Sequence, residues 1–346
     1  MSPDVCVIGG GPAGLAAAIA CRLIGRSVVV LESGYPPLDK PCGEGLLPDA
    51  VQALAELGVH IPPGAGHPLS GIRFLRGTSV AEAHFRGRHA LGLRRTVLHD
   101  LLAARARDLG VELRWNTPGA HLQDRTVFLG ATRFEPALVI GADGQNSLVR
   151  QQAGLNAGVL QQSRFGFRRH YACVPWSSYV EVYWSRNCQF YITPVSDSSI
   201  GVALLTNDPH QRIADCLSQF PVLAARLSHC PPLTAERGAM VSMRRLKRVQ
   251  RYGLALIGDA SGSVDAIAGE GLGLALRQSL ALARAVQAGN LQLYQRSHLR
   301  LARAATRSAR LLLILSRYQR LQTPAISGLA RYPSLFNRLL AWHAGV

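Results

Sequence analysis

The apolar residues of this chain open in short unbroken runs. Val5–Ile8 and Val28–Leu31 carry no polar position, as strands covered on both faces of a parallel sheet do. Between them lie the glycines of Gly9–Gly14 and an alanine-rich stretch from Leu15 to about Ile24, which predicts strand, glycine turn, helix and strand. Asp49–Leu57 has helical spacing and stops at Gly58. Residues 59–93 read as short strands and turns punctuated by Pro62, Pro63 and Pro68. Arg94–Leu109 is apolar at Val97, Leu98, Leu101, Leu102 and Ala104 and ends before Gly110, an amphipathic helix. Val111–Trp115 predicts a strand, and Ala137–Arg150 a buried strand, a Gly-Ala-Asp-Gly turn and a helix start. From about 160 to 250 the period shortens to two. Tyr179–Trp184, Gln189–Val195 and Ser199–Leu205 fit an antiparallel sheet, with helical residues over Gln211–Leu227. A last strand, Gly253–Ile257, precedes a glycine-rich stretch and long helices.

The glycine turn adds chemistry to that pattern. Gly9, Gly11 and Gly14 have the spacing that serves a tight turn, close approach of backbone to a pyrophosphate, and close packing of helix on strand. Phosphates then meet the free N–H groups of a helix N-terminus. Glu32 closes the second strand, where a carboxylate accepts from ribose hydroxyls. A dinucleotide site on an α/β, Rossmann-like lobe follows. No sharp linker divides the chain, so two intertwined lobes are expected. Residues 1–70, 94–155 and 250–285 form a discontinuous nucleotide domain, 71–93 and 156–249 an antiparallel-sheet substrate domain, and 286–346 C-terminal basic helices.

Composition narrows the class. The chain has 346 residues, 38 Lys+Arg against 21 Asp+Glu and a net charge of +17. This favours acidic partners, among them a dinucleotide, an anionic substrate or an anionic membrane surface. No nucleic-acid motif accompanies the charge, and no nucleic-acid partner is expected. Seven cysteines without CxxC or Cys/His spacing read as reduced thiols, with no metal site. Apolar runs such as Leu311–Leu315 fall far short of the ~20 residues of a membrane span, and Met1–Asp4 leads straight into the first strand. A cytoplasmic protein is expected, monomer or dimer. The arginines from Arg284 to Arg320 flank that apolar run; they suit either an amphipathic helix lying on an anionic membrane or a solvated bundle helix.

Three separated motifs line up in order: Gly9-x-Gly11-Pro12-Ala13-Gly14 with Glu32 and Ser33, Gly141-Ala142-Asp143-Gly144 with Ser147 and Arg150, and Gly258-Asp259-Ala260. Together they resemble the p-hydroxybenzoate-hydroxylase-like flavoproteins, a family of aromatic hydroxylases, flavin halogenases and geranylgeranyl reductases. The resemblance implies FAD, with the first motif on its ADP half, Asp143 and Gly144 beside the pyrophosphate and Asp259 on the ribityl chain. Arg95, with Arg94 as the neighbouring alternative, corresponds to a family arginine that opens a helix and reaches the FAD. Only one complete fingerprint is present, so NAD(P)H would dock transiently, or a separate reductase would deliver electrons.

The branches of that family differ in detail. Residues 258–279, GDASGSVDAIAGEGLGLALRQS, and KPCGEGLLP, with Cys42 and Gly43, resemble the geranylgeranyl-reductase version. There Gly269, Gly271 and Leu272 would sit at the flavin, Cys42 would be a candidate catalytic thiol of a reductase, and Glu270 is equally a simple N-terminal helix acid. The stretch FGFRRHYACVPW and the strands after it resemble bacterial monooxygenases acting on hydrophobic polyketide or quinone-like molecules. That resemblance implies hydroxylation through a flavin C4a-hydroperoxide, with Tyr191, Tyr183, His170 and Arg168 as candidates facing the flavin and Pro194 at its front edge. A halogenase is disfavoured: there is no WxWxIP segment, and Lys40 is the sole lysine before residue 247. The leading expectation is a monooxygenase on a hydrophobic aromatic or polyketide-like substrate. A reductase of isoprenoid C=C bonds comes next, and a non-catalytic FAD-binding protein last.

Overall fold

The computed structural model describes residues 2–85 and 87–344; Met1, Arg86 and residues 345–346, which fall in three of the expected segments, lie outside the described residues. β1 (Val5–Ile8) passes through the glycines into α1 (Pro12–Leu23) and β2 (Val28–Leu31). The helix opens at Pro12, ahead of the expected Leu15, because a proline at the first helical position lacks only an N–H that would have no helical partner. α2 (Pro48–Glu56) is followed by the hairpin of β3 (Gly71–Arg76) and β4 (Ser79–His84). α3 (Arg95–Asp108), β5 (Glu112–Arg114), β6 (Leu138–Gly141) and α4 (Leu148–Gln152) come next. Four strands then run in succession: β7 (Gly158–Ala172), β8 (Tyr179–Trp184), β9 (Cys188–Ser196) and β10 (Ser199–Thr206).

The helical stretch expected over 211–227 is two pieces, α5 (Ile213–Leu217) and α6 (Pro221–Leu227). Pro221 has no N–H to donate to the helix before it, and starts a new one instead. β11 (Arg237–Leu246), β12 (Gln250–Arg251) and β13 (Leu254–Leu256) complete the strands of the two main sheets; two small three-stranded sheets lie outside them. α7 (Gly271–Gln287), α8 (Leu291–Arg317), α9 (Gln319–Arg331) and α10 (Pro333–His343) end the described chain. Among the described residues no helix is long and apolar enough to cross a membrane.

Two sheets position everything else. The first has the order β12-β13-β6-β1-β2-β5 and is parallel apart from the β12–β13 edge. α1 packs between this sheet, α3 and α7, and the buried valines and leucines of β1, β2 and β6 form the largest core cluster. A ligand crevice is expected beyond the carboxyl ends of such strands, where the Gly9–Gly14, Gly141–Gly144 and Gly258 turns all lie. The second sheet, β11-β7-β10-β9-β8-β3-β4, is antiparallel except where β8 runs parallel to β3. Its two faces are both covered. On β8, Glu181 and Tyr183 turn toward α5 and α6, while Val182 and Trp184 turn toward α9 and α10.

Two features correct or extend the sequence reading. Cys173 and Cys230 are joined as a disulfide with Cα atoms 5.2 Å apart, where all seven cysteines read as reduced. A sequence separation of 57 hides the pairing; the Ala172 N–H donating to the Pro231 carbonyl brings the two segments together. The five other cysteines are free. The second feature is His298 on α8, whose Nε2 lies 2.9 Å from Ser261 Oγ in the turn after Gly258. Burial lowers its pKa from 6.5 to about 4. A base held neutral by the fold stabilises it above the unfolded value, and that contribution is lost as the pH falls from 6.5 through the folded value. The full span is about 3 kcal/mol. His298→Gln keeps a polar partner for Ser261 without a titrating ring. Melting curves between pH 7.5 and pH 4 should show a shallower decline for the variant; parallel declines would remove His298 as the cause.

Candidate active site

A cavity of about 1480 Å³ lies between the two sheets and the C-terminal helices. Its inner end is built by Gly11, Pro12 and Ala13, Arg95 at the start of α3, Asp143 and Gly144, Gly258 and Asp259, and Gly269, Gly271 and Leu272. The glycines divide into two kinds. Gly9 and Gly14 stand behind the wall: a Cβ on Gly9, at φ +111°, would overlap the Ala142 carbonyl, and one on Gly14 would overlap the Gly9 carbonyl. Gly11, Gly43, Gly269 and Gly271 have no atom within 4 Å of where a Cβ would stand, and all four line the cavity. The first pair fixes the turn; the second leaves open a surface of bare backbone.

The polar groups in and beside this end fit a dinucleotide with hydroxyls and phosphates; Glu32 and Ser33 stand beside the lining rather than in it. Glu32 Oε2 accepts from the Gly10 N–H at 2.6 Å and Oε1 from the Gly34 N–H at 2.8 Å, with Ser33 Oγ 3.2 Å from Oε1. This holds the carboxylate beside the glycine turn. Asp143 Oδ2 accepts from the Val149 N–H at 3.1 Å. Asp143 Oδ1 and Arg95 Nε are buried without a partner. Burial raises the pKa of Asp259 against the opposing pull of Arg95 and Lys40. An orphan acceptor, an orphan donor and a cation near the open N-terminus of α1 suit FAD: N–H groups and Arg95 for the phosphates, Asp143 and Asp259 for the hydroxyls. Among the described residues no cluster of His, Cys, Asp and Glu could hold a metal ion.

The outer end is apolar. Ile72, Phe74, Val182 and Trp184 from the sheet face Leu312 and Phe336 from the helices. Tyr191 stands at this boundary and donates its O–H to the Ile267 carbonyl at 3.0 Å. Burial raises its pKa, so it stays a protonated hydrogen-bonding group. Cys42 also lines the cavity. Burial raises its thiol pKa, only partly offset by Arg95, which disfavours the thiolate that nucleophilic chemistry needs.

Three of the residues expected to face the flavin from the substrate sheet sit elsewhere. Tyr183 is on the opposite face of β8, bonded to the buried Glu181 at 2.8 Å, because strand alternation sends its neighbours Val182 and Trp184 to the cavity. Pro194 does not line the cavity; its carbonyl crowds Gly92. The residue before it, Thr193, faces the cavity and donates to the Gly43 carbonyl at 2.8 Å. His170 is buried one layer behind the wall and reaches the cavity through a residue that the sequence reading passed over. This is Glu44, in the left-handed region at φ +60°.

Glu44 ties the site together. It lines the cavity, its Oε1 accepts from the Arg95 N–H at 2.9 Å, and its Oε2 lies 2.6 Å from His170 Nε2. Arg168 Nη1 is 2.9 Å from His170 Nδ1, and its other terminal nitrogen bonds Asp39. A guanidinium only donates, so Nδ1 accepts and the ring proton belongs to Nε2, pointing at Glu44. Asp39, Arg168, His170 and Glu44 are thus one hydrogen-bonded chain, and both Asp39 and Arg168 also line the cavity. The acid at Cys-Gly-Glu was visible in the sequence; what hid it was that its partners come from α3 and from β7, His170 lying 126 residues away.

The chain is similar to known proteins in sequence and in fold. A family model described as FAD binding domain covers residues 2–290. A stretch of 58 residues is 52% identical to menaquinone reductase of Mycobacterium tuberculosis (strain CDC 1551 / Oshkosh), spanning 17% of this chain and only 14% of that reductase. A longer match, 27% identical over 316 residues, covers 81% of the chain and 78% of 3-demethoxyubiquinol 3-hydroxylase of Escherichia coli (strain K12). In three dimensions the flavin-dependent brominase Bmp2 superposes with a TM-score of 0.84 at 19% identity, over 100% of this chain and 94% of the brominase, which establishes a common fold. With the family model matched over most of its length and the glycine cradle in place, the chain belongs to the FAD binding domain family, in the superfamily of FAD-dependent aromatic monooxygenases.

Proposed function

We propose that the protein is an FAD-dependent monooxygenase that hydroxylates a hydrophobic aromatic, polyketide- or quinone-like small molecule. The observation that carries this reading is the continuity of one cavity from the glycine cradle to an apolar chamber of substrate size. Reduced FAD, when bound, supplies the electrons with which molecular oxygen is activated. The protein's own part is to bind, orient and exclude water. Trp184, Phe74 and Phe336 remove the substrate from solvent, Tyr191 offers a fixed hydroxyl, and the Glu44 carboxylate, held in place by the His170 Nε2–H and the Arg95 N–H, can take up the proton of a substrate hydroxyl. Electrons come from NAD(P)H docking transiently or from a separate reductase, since the described residues build a single dinucleotide cradle.

A second reading, reduction of an isoprenoid C=C bond, is supported by the short stretch shared with menaquinone reductase. One experiment separates the two. Purified protein with FAD and NAD(P)H is incubated with quinone and polyketide-type phenols in air and without oxygen, and products are weighed by mass spectrometry. A product heavier by one oxygen atom, formed only in air, is expected. A product gaining hydrogens, formed equally without oxygen, would replace hydroxylation by reduction.

A further inference from the structure

The C-terminal helices carry a charge pattern that the flavin site does not use. Residues 271–346 contain eleven arginines and no lysine, aspartate or glutamate. Nine of the eleven, from Arg296 to Arg338, lie on α8, α9 and α10, and all nine are exposed. Among the described residues the ion pairs of this region involve Arg277, Arg284 and His343, and none of the nine. A solvated helix in a packed bundle ordinarily balances such a run with acids; this one has none to balance it.

The same helices turn large apolar side chains outward. Leu311, Ile314, Leu321, Tyr332, Leu335 and Trp342 are each between 46% and 57% exposed, and all six also line the cavity. Residues that are both lining and exposed mark a mouth, so the apolar chamber opens to the outside between α8, α9 and α10. A mouth rimmed by leucine, tyrosine and tryptophan and surrounded by unpaired arginines is complementary to one kind of surface. We infer that this face docks on an anionic lipid bilayer, with the cavity mouth turned into the membrane.

The physics of that contact is additive. Each arginine near an anionic surface strengthens binding by about fivefold, and apolar side chains entering the headgroup boundary add burial of their own. Tryptophan and tyrosine favour that boundary because one end of each ring system is apolar and the other polar. The helices lie on the membrane rather than cross it, consistent with the lack of any spanning helix among those described. A membrane-dissolved substrate then reaches the chamber without passing through water. The docking itself stands apart from the proposed reaction; only this entry route rests on it.

The test needs no turnover. Full-length FAD-loaded protein is sedimented with phosphatidylcholine vesicles with and without a minority of phosphatidylglycerol, at low and high salt. At low salt, binding at least about tenfold tighter to the anionic vesicles is expected, and salt should weaken it. Arg317→Glu/Arg320→Glu, at exposed positions outside the cavity wall, should abolish the preference with melting temperature and flavin content unchanged. Leu335→Ser/Trp342→Ser should weaken binding to both kinds of vesicle. Failure of wild-type protein to sediment with either vesicle overturns the inference. So does a stable dimer, seen by light scattering, that excludes vesicles and survives the arginine substitutions, since a second copy would then cover the face.

Discussion

Gly11→Val yields a folded protein that no longer retains flavin. Gly11 has φ −69° and ψ 177° at the N-terminus of α1, extended backbone that any residue adopts, and nothing stands within 4 Å of its would-be Cβ. The polypeptide itself therefore loses nothing by the substitution. The valine instead fills space against the first turn of a helix, where a pyrophosphate would meet free N–H groups. Overlap of this kind is expected to weaken FAD binding on the order of a hundredfold. Gly14→Val is the contrasting control: its side chain would overlap the Gly9 carbonyl, so it should unfold the turn and lower the melting temperature of the apoprotein. Flavin titration of apoprotein, with circular dichroism on each variant, separates the two. Wild-type flavin affinity in a folded Gly11→Val protein would show that the cofactor does not lie along this turn.

That contrast also explains what could be read from the sequence. The glycine turn, Glu32, Asp143 and Asp259 mark themselves because backbone geometry and a few short-range neighbours decide their positions, and both are written locally. Pairing across the sheets is not. Alternation along Tyr179–Trp184 gives two faces, but only the helices packed against each face decide that Trp184 meets the cavity and Tyr183 does not. The basic C-terminal helices announce an amphipathic character, yet their role as one wall of the chamber depends on packing against the β3–β4 hairpin. The Cys173–Cys230 link and the partners of Glu44 fail for the same reason: each joins segments far apart in the chain.

Glu44 shows what such a hidden residue is worth. Glu44→Ala removes the acceptor for both the Arg95 N–H and His170 Nε2, leaving a buried and a partly buried donor unpaired. A buried pair broken from one side is expected to cost about 3 kcal/mol of stability. The left-handed backbone at this position adds a second signature. Glu44→Gly loses the same hydrogen bonds but is at ease at φ +60°, so it should be about 1 kcal/mol less destabilised than the alanine variant. Glu44→Gln is different again: its amide oxygen still accepts from His170, while its NH₂ faces the Arg95 N–H, donor against donor. It should fold with an intermediate loss of stability. Turnover should fall further than stability does, by roughly a hundredfold, because the amide cannot take up the substrate's proton. Denaturant unfolding of the three variants, with single-turnover rates for Glu44→Gln, tests both roles. A glutamine variant with wild-type turnover would leave Glu44 as a structural tie between the flavin loop and β7, with the substrate's proton passing elsewhere.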